Sequence, residues 1–172
     1  DAGALAIRLA PRVPARLRTA AMHPPEPAPE PPGGRFDGPE HLFPVRVYFE
    51  DTDLSGVVYH ANYLRWFERA RSDMLRLLGI DQRAAHDAGE GAYAVSELTI
   101  RYRAPARLDD VLTVRTRTLE VGAATCRIVQ QAWRGETLLA ESHVRGAFVA
   151  PDARPRRQSD EWREAFRKTL TS

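Results

Sequence analysis

The chain has 172 residues, of which 43% are hydrophobic and 28% charged, and its 25 basic and 23 acidic side chains give a formal net charge of +2. This is the composition of an ordinary globular domain, and the balanced charge does not indicate a nucleic-acid-binding protein. Its apolar runs fall short of the roughly 18 residues that a membrane-spanning helix needs. A single cysteine, Cys126, excludes an intrachain disulfide framework and a multi-cysteine zinc site.

The first part of the chain differs in composition from the rest. Ten of the 13 prolines lie in residues 1–44, and proline lacks the amide hydrogen that helices and central strands require. We therefore predict a disordered or polyproline-like extension over residues 1–40 and a folded domain over residues 41–172. Residues 4–20 hold four arginines and no acid, which resembles a transit peptide; the alternative is that translation begins at Met22.

A strand and a long helix are predicted at the start of the domain. Residues 43–50 alternate between apolar and polar side chains with the period of two that a strand shows. Residues 61–79 carry apolar side chains at helical spacing, and Gly79 is a suitable C-terminal cap. The predicted buried face of this helix consists of Tyr63, Trp66, Phe67, Ala70, Met74, Leu77 and Leu78.

Four further strands and a small helix complete the predicted domain. The strands cover residues 94–103, 111–120, 124–133 and 137–150. Because short turns separate most of them, we expect an antiparallel sheet. Ser159 is the expected N-terminal cap of a small helix with an apolar stripe of Trp162, Phe166 and Leu170. The fold class is therefore α+β with a five-stranded sheet, and its open edge strand predicts a homodimer or homotetramer.

The loop before the long helix contains the residues best suited to catalysis. Asp51, Asp53 and His60 lie within ten residues of one another, and the free N–H groups of a helix start, at Tyr59 or His60, can hold a developing oxyanion. A nearby carboxylate can act as nucleophile or general base, so the arrangement suits acyl transfer. The alternative is that both aspartates form turns and that His60 is structural. These three side chains lack a regular metal-ligand spacing, so we predict no metal.

Two stretches of the chain resemble a known family. They are VRVYFEDTDLSGVVYHANYLRWFERAR, residues 45–71, and YRAPARLDDVLTVRT, residues 102–116. Both are similar to the hotdog-fold acyl-CoA thioesterases of the Tol–Pal-associated type, which are related to 4-hydroxybenzoyl-CoA thioesterase. The resemblance implies a sheet wrapped around the long central helix and a cytoplasmic acyl-CoA thioesterase. It implies no cofactor, since coenzyme A is part of the substrate, and makes envelope or lipid-synthesis proteins candidate partners.

The resemblance also assigns residues to the site. It implies that Asp53 is the catalytic carboxylate, that His60 orients the thioester or the water, and that the N–H groups of Tyr59 and His60 polarise the carbonyl. Many relatives have a second tyrosine where this chain has Phe49, so one hydroxyl contact is missing here.

Cations are needed for the phosphates of coenzyme A, and an acyl pocket needs apolar walls. The candidates for the phosphates are Arg101, Arg103, Arg107 and Arg127, whose alternative interpretation is a solvated charged face. Tyr63 is a candidate for lining the acyl pocket, or else a core residue. Two other functions stay open: an acyl-thioester-binding or scaffold protein with weak or no activity, and a hotdog dehydratase, which requires a histidine base with an acid partner.

Overall fold

The structure, a computed structural model, describes residues 30–170. Residues 1–29, which include most of the predicted extension and Met22, lie outside the described residues, as do the last two residues of the chain. The chain divides into two units, and the second of them, residues 32–172, contains all the elements given below.

One antiparallel sheet and three helices form this unit. The strands are β1 (Arg35–Asp37), β2 (Glu40–Arg46), β3 (Ala92–Tyr102), β4 (Val111–Val121), β5 (Thr125–Arg134) and β6 (Thr137–Val149). The helices are α1 (His60–Leu77), α2 (Gln82–Asp87) and α3 (Asp160–Arg167). The strand order in the sheet is β1-β2-β4-β5-β6-β3, and every neighbouring pair is antiparallel.

The described sheet has six strands, so the prediction of five is wrong. The additional strand is β1, which pairs with β2 through a two-residue turn. Gly38 takes a φ of +57° in that turn, a conformation that glycine adopts without steric cost. The predicted extension is therefore wrong for residues 35–40. The high proline content of this part of the chain led to the prediction that these residues are irregular. Pro39, however, lies in the turn of a hairpin, where it removes no hydrogen bond between the strands.

Strand β2 ends four residues earlier than predicted. The backbone of Phe49–Asp51 forms a single 3-10 turn instead of continuing the strand. The Asp51 carboxylate stabilises this turn, since its Oδ2 accepts a hydrogen bond from the Tyr48 N–H at 2.8 Å. Val45 and Val47 are nevertheless buried, as the alternation predicts.

Helix α1 lies against the sheet through an apolar face. Trp66, Phe67 and Ala70 are at most 1% exposed and belong to the same core cluster as residues of β4, β5 and β6. The predicted face is wrong at Leu77, which is 49% exposed, because the helix ends there and turns away at Gly79, whose φ is +74°. At 1.5 Å per residue the 18-residue helix is about 27 Å long.

A buried polar group fixes α1 on the sheet. The Gln130 side chain of β5 is fully buried, and its amide nitrogen donates to the Phe67 carbonyl at 3.0 Å and to Thr116 Oγ1 at 3.1 Å. Its amide oxygen accepts from the Arg71 guanidinium at 2.7 Å. Since buried polar groups are costly unless they are paired, this set of bonds favours one position of the helix over others.

A second polar link attaches the β1–β2 hairpin to α1. His41 of β2 is fully buried, and its Nε2 lies 2.8 Å from the Oδ2 atom of Asp73 on the helix. The Gly34 N–H donates to the same oxygen at 2.9 Å. A side chain at Gly34 would bring its Cβ to 2.5 Å from His41 Nε2, so the link requires glycine there.

The C-terminal helix was predicted from its capping residue and its apolar stripe, of which the cap is confirmed and the stripe is confirmed in part. Ser159 Oγ accepts from the Trp162 N–H at 3.1 Å, and Phe166 is buried at the end of the sheet. Leu170 lies beyond the helix and is 38% exposed. The six-residue α2 was not predicted. The arrangement of an antiparallel sheet, one long helix and a small C-terminal helix is the α+β hotdog fold that the family resemblance implies.

Candidate active site

The residues predicted to carry chemistry lie in the loop between β2 and α1, residues 47–59. The loop is closed by an antiparallel bridge between Thr52 and Val58 and by a hydrogen bond from the Asp53 N–H to the Val57 carbonyl at 3.1 Å. Gly56, with a φ of +74°, provides the turn. The loop therefore returns to the sheet before the helix begins, and brings Asp53 back towards the mouth of α1.

Asp53 presents an exposed, ionised carboxylate. Its Oδ1 accepts hydrogen bonds from the Ser55 hydroxyl group and, at 2.8 Å, from the Ser55 N–H. The hydroxyl bond, the N–H bond and the nearby charge of His60 hold the pKa of Asp53 below its usual value. The carboxylate is thus charged at neutral pH, as a nucleophile or a general base must be.

Asp51 is structural, although it stands two residues from Asp53. Its carboxylate is turned inward to the Tyr48 N–H, and its carbonyl accepts from the Tyr59 N–H at 2.9 Å and from the buried Asn62 side chain at 2.8 Å. Asn62, which the sequence analysis did not single out, thereby fixes the loop to the first turn of α1. Among the described residues no cluster of three or more histidine, cysteine or acidic side chains is suited to hold a metal ion.

The predicted oxyanion donors need a correction. The Tyr59 N–H donates to the Asp51 carbonyl, so it is not free to bind a substrate. The His60 N–H is at the first position of α1, where a helix leaves its N–H groups without an intrahelical partner. No backbone carbonyl of the described residues accepts from it, so of the two predicted donors the geometry favours His60 alone.

The His60 side chain is exposed and is flanked by two aromatic rings. The imidazole lies 4.4 Å from the Tyr59 ring and 6.3 Å from the Tyr102 ring, measured between centroids. The hydroxyl group of Tyr102, the last residue of β3, donates to the His60 carbonyl at 3.0 Å. The sequence analysis did not identify Tyr102, because the contact joins residues 42 positions apart.

An open groove of about 320 Å³ adjoins this helix mouth. Of the residues predicted to bind substrate, Arg103 and Tyr63 line it, and the full lining consists of Val58, His60, Tyr63, Tyr102, Arg103, Ala104 and Pro105. Tyr63 is 3% exposed and its hydroxyl accepts from the Ala106 N–H at 3.2 Å, so it is chiefly a core residue.

The other three predicted arginines do not line the groove. Arg101 and Arg107 are exposed and are absent from its lining. Arg127 forms an exposed ion pair with Glu120 at 3.4 Å on the sheet. Asp53 therefore lies close to His60, and His60 lines the groove together with Tyr63 and Arg103. No helix among the described residues combines the length and apolarity that a membrane crossing demands.

Comparison with known proteins identifies thioesterases as relatives of this chain. A family model described as the thioesterase superfamily matches residues 55–141, a range that begins just after Asp53 and includes His60 and Tyr102. The acyl-CoA thioesterase YbgC of Haemophilus influenzae is 46% identical over 107 residues, which cover 62% of this chain and 79% of that protein. The acyl-CoA thioester hydrolase YbgC of Escherichia coli O6:H1 is 44% identical over 110 residues, covering 63% and 81%.

A solved structure is similar to this chain in both sequence and fold. A probable thioesterase from Bartonella henselae superposes with a TM-score of 0.66 at 36% identity, and the match covers 70% of this chain and 99% of that one. The enzyme class predicted from the sequence, a thioester hydrolase, is confirmed by these relatives. Given a family model that spans half of its length, this chain belongs to the thioesterase superfamily.

Proposed function

We propose that the protein hydrolyses the thioester of an acyl-CoA to a carboxylic acid and free coenzyme A. The observation that carries the proposal is the pairing of an ionised carboxylate, Asp53, with the N-terminus of α1 at His60. The relatives named as acyl-CoA thioesterases support the choice of substrate class. We also propose that the enzyme acts in the cytoplasm, as the resemblance to the family implies.

Two routes fit this arrangement. In the first, an Asp53 carboxylate oxygen attacks the thioester carbon, the carbon–sulfur bond breaks with release of the thiolate, and water then hydrolyses the mixed anhydride. In the second, Asp53 takes a proton from a water molecule whose oxygen attacks the same carbon, and the carbon–sulfur bond then breaks with release of the thiolate. In both, the His60 N–H and the positive end of the α1 dipole stabilise the oxyanion. A thiolate is a good leaving group, so neither route needs a strong general acid.

We further propose that two copies of the chain assemble through the free edge of β3. Among the described strands, β3 pairs on one side only, with β6. None of its 11 residues is fully buried, and Val95 is 47% exposed. An unpaired edge of this length exposes a row of N–H and carbonyl groups that a second strand satisfies. Arg103, one residue beyond β3, then lies near the boundary between the subunits and is the cation that we assign to the phosphates of coenzyme A.

The decisive experiment measures thiol release from a panel of short, long and aromatic acyl-CoA substrates. We expect turnover on at least one of them, and a loss of about 10²- to 10⁴-fold in both Asp53→Asn and Asp53→Ala. Glu50→Gln is the matched control, since Glu50 is an exposed acid in the same loop, and its activity should equal that of the wild type. Near-normal turnover in the Asp53 variants would contradict the assignment.

A binding or scaffold protein is the second candidate function. The observation that favours it is that Asp53 is already bonded twice to Ser55 and that the neighbouring aromatic side chain, Phe49, is 82% exposed and has no hydroxyl group. The same panel distinguishes the candidates, because a binding protein retains acyl-CoA without releasing thiol. The dehydratase alternative predicts loss of water from a 3-hydroxyacyl-CoA, which forms a carbon–carbon double bond with no thiol release.

A further inference from the structure

We propose that Tyr102 is a positioning residue of this site, whose hydroxyl group and ring hold His60 in the orientation that thioester hydrolysis uses. The inference rests on the proposed function. It adds a residue of β3 to a site that otherwise consists of the loop before α1 and the first turn of α1. Three observations support it: a hydrogen bond, a set of ring contacts and the exposure of the tyrosine.

The hydrogen bond joins the end of a strand to the start of a helix. Tyr102 Oη donates to the His60 carbonyl at 3.0 Å. That carbonyl is in the first turn of α1 and is also the acceptor expected for the N–H four residues later. The bond is therefore not needed to satisfy a buried group, and what it does is fix the first turn of α1 relative to β3. Burial raises the pKa of Tyr102, so the hydroxyl remains a donor well above neutral pH.

The ring of Tyr102 restrains the His60 side chain directly. The two rings are nearly perpendicular, with an interplanar angle of 88° and a centroid distance of 6.3 Å, and the Tyr59 ring also contacts the imidazole, at 4.4 Å. The Tyr102 ring is itself supported by the Tyr63 ring at 5.6 Å. Tyr63 is buried in the core, so its position is fixed. Its contact with Tyr102 restrains the Tyr102 ring, which in turn restrains His60.

The exposure of Tyr102 separates a positioning role from a structural one. The side chain is 46% exposed, and an exposed hydroxyl bond contributes little to folding. At an active site, by contrast, a displacement of about 1 Å can lower the rate by about a hundredfold. Loss of the Tyr102 hydroxyl should therefore affect turnover more than stability.

The test compares two tyrosines of the same strand. Tyr102→Phe removes the bond to the His60 carbonyl and keeps the ring, and we expect kcat to fall about three- to tenfold with KM within about twofold of the wild type. Tyr102→Leu removes the ring contacts as well and should lower kcat further. The matched control is Tyr93→Phe. Tyr93 also belongs to β3, and its hydroxyl group donates to Gln158, but it lies outside the groove. The kcat of this variant should equal that of the wild type.

A second measurement follows His60 itself. We expect the imidazole NMR resonances of His60, assigned with His60→Ala, to shift in Tyr102→Leu and to stay in place in Tyr93→Phe. Equal kcat in Tyr102→Phe and wild type, or a change confined to KM, overturns the proposal. If the wild type shows no turnover that depends on Asp53, the proposed function fails, and unchanged His60 resonances in Tyr102→Leu then overturn the contact between Tyr102 and His60 as well.

Discussion

At the scale of single residues, two aspartates of one loop take opposite roles because of the bonds around them. The carboxylate of Asp51 binds the Tyr48 N–H and holds the 3-10 turn, whereas the carboxylate of Asp53 faces solvent beside His60. Ser55 is the residue that tunes Asp53, since it provides both an O–H and an N–H donor to the same oxygen. The pKa of Asp53 therefore depends on a serine to which no reactive role is assigned.

We predict that Ser55→Ala moves the acid limb of the pH–rate profile to higher pH. The Ser55 hydroxyl is the largest cause of the lowered pKa of Asp53, so its removal lets that pKa rise towards its usual value. Since Asp53 reacts as the carboxylate, activity at low pH falls, while activity at neutral pH is retained. The measurement is kcat/KM for an acyl-CoA substrate from about pH 2.5 to about pH 6, a range that spans the usual pKa of an aspartate.

Ser55→Thr is the control for this prediction. Threonine keeps a hydroxyl group at the same position, so the acid limb should stay where the wild type has it. An acid limb that moves to lower pH in Ser55→Ala, or that is unchanged, would show that Asp53 is not the group whose ionisation limits the rate.

The residues of the site could be named from the sequence, but not their hydrogen bonds. Asp53 and His60 follow from the loop motif and stand at the helix mouth, and their catalytic roles remain predictions. Tyr59 was named as an oxyanion donor, yet its N–H is taken by Asp51, a bond that depends on how the loop closes. Tyr102 was not named, since no local pattern places the end of β3 beside the start of α1.

At the scale of elements, the strands with regular alternation were predicted well and the short elements were not. The predicted bounds of β3 to β6 lie within two residues of the observed ones. Strand β1 has three residues and follows a proline-rich stretch, and α2 has six residues, so neither provides a full period of its pattern. The contact between His41 and Asp73, which attaches the first hairpin to α1, is likewise a tertiary feature without a local signal.

We predict that the protein loses stability as the pH falls below about 6.5, because of His41. Burial lowers the pKa of His41 more than the facing carboxylate of Asp73 raises it. The unfolded chain therefore binds the proton more tightly, so this contribution to stability is present above the pKa of the unfolded state and is lost as the pH falls. The other neighbours are Phe36, Phe43 and, beyond Asp73, the Arg76 guanidinium.

Urea unfolding at pH values from 5 to 7.5 measures this effect. In His41→Gln the free energy of unfolding should depend less on pH in this range, since the group that titrates is gone. His143→Gln is the matched control, because His143 is exposed on β6 and its removal should leave the pH dependence unchanged. Greater stability of the wild type at pH 5 than at pH 7 would contradict the prediction.

At the scale of the whole molecule, the sheet has a long unpaired edge strand, β3. The residues of β4, β5 and β6 alternate between buried and more exposed positions, whereas β3 has only half-buried and exposed ones. A second copy of β3 would satisfy its free backbone groups and cover Val95. Because β3 ends at Tyr102, the proposed assembly at this edge would lie beside the groove that Tyr102 lines.

We predict that Val95→Asp converts a dimer into monomers. A charge at this position has to be buried without a partner when two edges pair, which opposes association. The measurement is the molar mass in solution by light scattering at several protein concentrations. Leu119→Asp is the matched control, since Leu119 has a similar exposure of 45% but belongs to β4, a strand with neighbours on both sides. Dissociation by Leu119→Asp and not by Val95→Asp would place the interface elsewhere.

The buried amide of Gln130 has a consequence for engineering the enzyme. A purely aliphatic interior would hold α1 about as firmly, yet would let it roll about its axis, and a roll of about 20° at the 2.3 Å backbone radius moves each backbone atom by roughly 0.8 Å. His60 stands at the end of that helix and would move with it. A redesign that replaced only Gln130 with leucine would leave the buried Thr116 hydroxyl group and the Arg71 guanidinium without this partner, so we expect both its melting temperature and its turnover to fall.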